Sequence, residues 1–336
     1  MKLLIHSTAF YPHVGGYETS VMLFAQHFAA RGYDLTIITY TPDPNYTVFP
    51  FKVIRNPGLK VFFQELRRCD VFVHESVSLK AIWQLFFVPK PLVIVHHNFW
   101  EVFLKIFVAR FAVNICVSNS IAEKLPEGKL KTVIHNPYDE GLFRLLNEKR
   151  DIELVYLGRL VNEKGVSVLL KALNLLKNQN LFPRLTIIGD GHIKEVLQEE
   201  AKTLGLEKQV TWLGVKRGED LVKHLNQHQI MVVPSTYEEP FGIVALEGMA
   251  CGCVPIVSER GGLKEAIGEC GITFPNGDAE KLAEILSDLL ADKARLEIFR
   301  EKAKNHLLKH TRKAVGEQYE AIFENLPNYR KKQPDD

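Results

Sequence analysis

Two glutamates eight positions apart, Glu239 and Glu247, bound the densest run of chemically capable residues in the chain: Pro234-Ser-Thr-Tyr-Glu-Glu-Pro-Phe-Gly-Ile-Val-Ala-Leu-Glu247. Apolar residues before Pro234 read as a strand and those from Gly242 as a helix. The amides of Phe241, Gly242, Ile243 and Val244 would then be free to face an anion. At about 1.5 Å per residue, the two carboxylates stand roughly 12 Å apart. Such a span suits one ligand that offers sugar hydroxyls to one carboxylate, a diphosphate to the amides and a ribose to the other carboxylate.

A second group is cationic. Tyr156-Leu-Gly-Arg-Leu-Val-Asn-Glu-Lys-Gly165 places Arg159 and Lys164, with Gly158, in a strand-to-helix loop. Two fixed cations favour a diphosphate more strongly as it departs with added negative charge than before it does. They would also do the work of a divalent ion, for which the chain has no Asp-x-Asp cluster, so no metal is expected. Leu92-Val-Ile-Val-His-His-Asn98 runs a strand into a loop carrying His96 and His97, either of which could hydrogen-bond a sugar. Gly15-Gly16 precedes a long helix, where small residues let the backbone approach a ligand. Gly191 and Val215 end two further strands beside which a nucleotide could lie. The pattern GxGxxG is absent, so no nicotinamide cofactor is expected.

These residues need a scaffold of alternating strands and helices. Leu3–His6, Leu35–Thr39, Asp70–His74, Leu92–His96, Val113–Val117 and Thr132–His135 read as buried parallel strands, with a helix over Tyr17–Ala30. The alternation restarts after Asn136–Asp151 with strands at Glu153–Gly158, Arg184–Gly189, Gln209–Leu213, Ile230–Val233 and Val254–Val257. A length of 336 residues fits two domains, and 46% hydrophobic against 24% charged residues is ordinary globular composition. A net charge of +2 gives no reason to expect nucleic acid, although residues 1–145 carry 15 Lys+Arg against 11 Asp+Glu. Five cysteines without CxxC spacing read as buried thiols. No cleavable leader and no run of about 18 apolar residues is evident, so a cytoplasmic protein is expected.

The motifs together resemble the retaining glycosyltransferases of family 4. Glu239-Pro-Phe-Gly-Ile-Val-Ala-Leu-Glu247 has that family's Glu-x7-Glu spacing, and Gly248-Met-Ala-Cys-Gly-Cys-Val-Pro follows its continuation, with Gly248 in place of Ala. Gly158-Arg…Lys-Gly165, Pro12-x-x-Gly-Gly16 and His97-Asn98 match weaker family motifs in order. The resemblance implies an α/β GT-B fold, two facing Rossmann-like doubly wound domains with the active site in the cleft between them. Residues 1–145 would bind a glycan, lipid-linked or small-molecule acceptor. Residues 146–309 would bind the nucleoside diphosphate sugar, and a helix near 310–328 would pack back on the first domain. It further implies transfer with retained anomeric configuration, without cofactor, in cell-surface polysaccharide or glycolipid synthesis. Catalytic roles fall to His97, Glu239, Arg159 and Lys164. Donor contacts fall to Gly15, Gly16, Gly158, Gly191, Val215, Phe241, Gly242, Ile243, Val244 and Glu247. An epimerase or hydrolase of the same fold, or a non-catalytic sugar-nucleotide-binding partner, are the competing readings. Finally, aromatic residues Trp83, Phe86, Phe87, Phe99 and Trp100, with a helical apolar pattern over Phe99–Phe111, suggest peripheral contact with the inner membrane face.

Overall fold

The computed structural model describes residues 1–13, 15–75, 82–99, 112–125 and 130–331, with side chains through residue 326. Two compact units form, one from Met1–Tyr138 joined by residues from His310 onward, the other from Asp139–Lys309. Residues 139–145, which sequence reading gives to the first domain, group with the second. A distant side chain holds them there: buried Asn226 donates to the Arg144 carbonyl at 3.0 Å and accepts from the Leu146 amide at 2.8 Å.

Among the described residues the first unit holds a seven-stranded parallel sheet in the order β3-β2-β1-β4-β5-β6-β7. Its strands are β1 (Lys2–Ser7), β2 (Asp34–Thr39), β3 (Lys52–Arg55), β4 (Val71–Glu75), β5 (Leu92–His96), β6 (Val113–Cys116) and β7 (Lys131–Val133). Strands β4, β5 and β6 are buried at every position, as expected for strands covered on both faces. Helix Gly16–Ala30 follows β1 and buries Val21, Phe24, Ala25 and Phe28. Helix Arg312–Lys331 packs on it: Phe24 meets Tyr319 edge-on at 4.8 Å, and Glu320 accepts from Arg31 at 3.0 Å. A β-carbon at Gly316 would stand 2.3 Å from the His27 ring, so glycine sets how closely the two helices approach.

The second unit repeats the plan. A six-stranded parallel sheet runs β10-β9-β8-β11-β12-β13. It is made of β8 (Ile152–Leu157), β9 (Leu185–Ile188), β10 (Val210–Gly214), β11 (His228–Val233), β12 (Val254–Ser258) and β13 (Ile272–Phe274). Its core joins Leu154, Ile187, Ile230 and Ile256 from the strands to Leu169, Leu173 and Leu176 of helix Val166–Asn178. The helical pattern over 279–308 is two helices, Ala279–Ala291 and Lys293–Leu308. Asp292 breaks it, accepting the Arg295 amide at 2.9 Å as the cap of the second. Strands β3 and β13 escape sequence reading, being edge strands of four and three residues without a continuous apolar run. All five cysteines are buried free thiols.

Strand order reverses in each sheet between the first strand and the one reached by crossing over it: β1 and β4 in one unit, β8 and β11 in the other. Loops leaving the carboxyl ends of such a pair diverge and open the ligand crevice of a doubly wound sheet. Gly15 and Gly16 follow β1, Arg159 and Lys164 follow β8, and Glu239 follows β11, whereas His97, Gly191 and Val215 follow the neighbouring strands β5, β9 and β10.

Candidate functional site

In the second unit the loop after β8 carries Arg159 and Lys164, and the loop after β11 carries Glu239. They are fastened to each other. The Thr236 amide donates to the Glu163 carbonyl at 2.9 Å, and Gly165, at φ +67°, lies flat against the end of β11. This brings the Lys164 Nζ into a hydrogen-bonded ion pair with Glu239 Oε1. Two more donors converge on the carboxylate: Ser235 Oγ gives to Oε1 at 2.7 Å and the Tyr237 hydroxyl gives to Oε2 at 2.7 Å. Lys164 also donates to the Tyr237 oxygen at 3.2 Å, closing a ring of three side chains. Burial, followed by the neighbouring Glu239 charge, pushes the Tyr237 phenol up, so it stays a donor at neutral pH.

Backbone contacts fix the same loop from behind. Gly262 donates its amide to the Glu239 carbonyl at 2.7 Å, and Asn276 Nδ2 donates to the carbonyls of Ser235 at 2.9 Å and Tyr237 at 3.3 Å. Gly242 adopts φ +106° and starts helix Ile243–Ala250. The side chains of Phe241 and Ile243 are buried, so their expected part in ligand binding falls to their amides, while Val244 is half-buried. Glu247 lies one turn further along. Desolvation, and then the Asp139 charge, raises its carboxyl to about 7.

Arg159 is exposed, and among the described residues no hydrogen bond or ion pair occupies its guanidinium; its charge acts on Tyr237 and Tyr156. The glycines here have a packing role. A β-carbon on Gly191 would fall 2.2 Å from the Leu160 carbonyl, and one on Gly158 would fall 2.9 Å from the Tyr156 hydroxyl. The loops after β8 and β9 therefore run side by side, joined by the Leu160 amide on the Asp190 carbonyl at 2.9 Å. Val215 is 55% exposed at the end of β10.

In the first unit, His97 Nε2 lies 2.6 Å from Glu75 Oε2, both groups being buried. Tyr17 stacks edge-on to His97 at 4.9 Å and donates its hydroxyl to the Glu75 carbonyl at 2.9 Å. Gly15 caps and Gly16 opens the helix that carries Tyr17. His96 points elsewhere: its Nε2 meets Asn114 Oδ1 at 2.9 Å inside the sheet, and burial lowers its ring to about 4. Sequence reading did not single out Glu75, Tyr17, Ser235, Tyr237 and Asn276. An acid closing the apolar run Val71–Glu75 was the one available signal for Glu75. Ser235 and Tyr237 lie inside the motif segment but have no distinctive spacing.

Two family models match the chain: residues 139–306 fit the glycosyl transferases group 1, and residues 14–142 fit glycosyltransferase family 4. The chain belongs to the group 1 glycosyl transferases. An uncharacterized glycosyltransferase of Methanocaldococcus jannaschii is 35% identical over 173 residues, 46% of this chain and 44% of that protein. A D-inositol 3-phosphate glycosyltransferase of Corynebacterium jeikeium is 32% identical over 181 residues, 51% of this chain and 43% of that protein. The matches thus span less than half the length of these two relatives. Among solved structures, Anabaena HepE in complex with UDP superposes with a TM-score of 0.83 at 20% identity, covering 97% of this chain and 100% of that one. This group 1 chain accordingly has the GT-B fold, built from two Rossmann-like parallel sheets.

Proposed function

We propose that the protein is a retaining, metal-independent glycosyltransferase that moves a sugar from a nucleoside diphosphate sugar to a glycan, lipid-linked or small-molecule acceptor in cell-surface polysaccharide or glycolipid synthesis. The observation that carries this reading is the meeting of Lys164 with Glu239 at the switch point of the second sheet. A carboxylate able to take sugar hydroxyls and a cation able to take a diphosphate stand in direct contact there. In this reading the bond from the anomeric carbon to the diphosphate breaks, and its electron pair stays on the departing phosphate oxygen. Lys164 and Arg159 stabilise that charge, while Glu239 and His97 orient the sugar. The acceptor hydroxyl bonds to the anomeric carbon on the face the diphosphate leaves, and the departing phosphate oxygen takes its proton. Gly15, Gly16, Gly158, Gly191, Val215, Phe241, Gly242, Ile243 and Val244 line the donor, and Glu247 receives the ribose.

Donor binding is tested by thermal unfolding with UDP-glucose, GDP-mannose and related nucleotide sugars. A ligand at 100 times its dissociation constant adds about 2.7 kcal/mol of stability. Glu247 sets the pH dependence. Its raised carboxyl favours the free folded protein while protonated, a contribution lost as pH rises from the ordinary 4.5 through about 7. Ribose hydroxyls donate best to the ionised form, so binding expels the proton. Nucleotide-sugar affinity should then rise about tenfold between pH 6 and pH 8, a window in which the diphosphate diester has no proton to exchange. Glu247→Ala should abolish the thermal response, and a pH-independent affinity in the natural protein would refute the ribose contact. Product analysis without acceptor separates transfer from epimerisation or hydrolysis.

A membrane-bound acceptor fits a surface of the first unit. Phe86 is 82% and Phe87 71% exposed beside Trp83. Phe63 of helix Leu59–Arg68 meets Trp83 at 5.8 Å, and Arg67 covers the Phe63 ring at 5.7 Å. With Lys60 and Arg68 exposed on the same helix, aromatic side chains and basic charge share one surface, the combination that suits an anionic bilayer. Of the other two aromatic residues of that expectation, Phe99 is half-buried with the Lys124 ammonium 4.0 Å from its ring centre, while Trp100 and residues 101–111 lie outside the described residues. Among the described residues no helix is long and apolar enough to cross a membrane. Vesicles containing phosphatidylglycerol should retain the protein in flotation at low salt, and the double variant Phe86→Glu, Phe87→Glu should stay in solution. Equal retention of the two proteins would dismiss this surface.

A further inference from the structure

The ring formed by Lys164, Tyr237 and Glu239 has a consequence for how a donor could be admitted. Glu239 Oε1 accepts from Lys164 and Ser235, and Oε2 from Tyr237. If Lys164 is to reach a diphosphate, it must give up Glu239. Removing one donor from a mostly buried carboxylate is unfavourable unless the others hold it in place. The Tyr237 hydroxyl is the group that touches both partners, 2.7 Å from Glu239 Oε2 and 3.2 Å from Lys164 Nζ. Its ring lies beneath the ammonium at 5.2 Å. It is itself held by Asn276 through its carbonyl, so it does not move with the lysine.

Resting on the glycosyltransferase reading, we propose that Tyr237 is a positioning residue for recognition of the donor's sugar. It keeps the Glu239 carboxylate fixed when the diphosphate draws Lys164 away, and leaves Oε1 open to a sugar hydroxyl in the lysine's place. Ser235, wholly buried, steadies the same oxygen from the protein side. The exchange is neutral in hydrogen bonds: Oε1 loses an ammonium donor and gains a hydroxyl, while the ammonium gains phosphate oxygens.

The test compares the natural protein with Tyr237→Phe, which removes the hydroxyl and keeps the ring. Dissociation constants are measured for UDP against UDP-glucose and for GDP against GDP-mannose. The nucleoside diphosphate alone also draws Lys164 from Glu239, so it should bind Tyr237→Phe a few-fold more weakly than the natural protein. The additional affinity conferred by the sugar should fall about tenfold, the size expected for one hydrogen bond to a charged group. On transfer, kcat should drop by more than KM for the acceptor rises. Tyr237→Phe weakening diphosphate and nucleotide sugar equally would mark a merely structural role and overturn the assignment, as would an unchanged ratio between them. Absence of nucleotide and nucleotide-sugar binding by the natural protein would overturn the glycosyltransferase reading together with this one.

Discussion

Lys164→Ala is expected to lower the rate of sugar transfer by about 10²- to 10³-fold, the loss typical when one fixed donor to a developing negative charge is removed. The lysine carries two duties. It neutralises Glu239, and in the reaction it would face the diphosphate that departs with increased charge. Because that charge grows toward the transition state, the loss should appear mainly in kcat, with donor affinity falling less. Lys164→Arg preserves charge but brings a planar fork to a contact made by a compact ammonium, so it should recover only part of the rate. The folded state should also weaken in Lys164→Ala, by about 1–3 kcal/mol, because the carboxylate keeps Ser235 and Tyr237 but loses its cation. The lysine is partly exposed, which places the cost toward the lower figure. Stopped assays with the preferred nucleotide sugar, beside chemical unfolding, separate the two effects. A variant that is stable and fully active would remove Lys164 from the mechanism.

Gly165→Ala should destabilise the protein by about 2–4 kcal/mol and remove activity with it. At φ +67° a side chain already costs roughly 1–2 kcal/mol. Here the added carbon would also fall at 1.9 Å from the Pro234 carbonyl oxygen, so one of the two loops must move. The loops in question are those that carry Lys164 and Glu239, joined at this point by the Thr236 amide on Glu163. Their separation would pull the cation from the carboxylate even in molecules that fold. Gly277→Ala is the control: its φ is +82°, but a β-carbon there meets nothing within 4 Å, so only the backbone cost should be seen. Urea unfolding followed by circular dichroism gives both numbers. Similar losses for the two variants would show that loop contact at Gly165 contributes nothing.

The parallel sheets were legible because strands covered on both faces leave continuous apolar runs, as in Leu92–His96 and Val254–Val257. β3 and β13, short edge strands without a run buried on both faces, leave no such trace and emerge only in the fold. Membership of residues 139–145 was equally hidden. It turns on Asn226, 80 or more residues away, whose side chain holds Arg144 and Leu146.

The same division runs through the site. Sequence by itself determined the chemistry available: a paired-glutamate segment, a cationic loop and a strand-end histidine, since residue type and spacing along the chain are local properties. Only the tertiary structure decided which groups face each other. It placed Lys164 on Glu239, supplied Ser235 and Tyr237 as further donors to that carboxylate, gave His97 rather than His96 to Glu75, and desolvated the Glu247 carboxyl enough to raise it. Each depends on the distance between loops that a crossover has brought side by side. Hydrogen bonds, ion pairs and desolvation act through that distance, and the number of residues between two groups does not encode it.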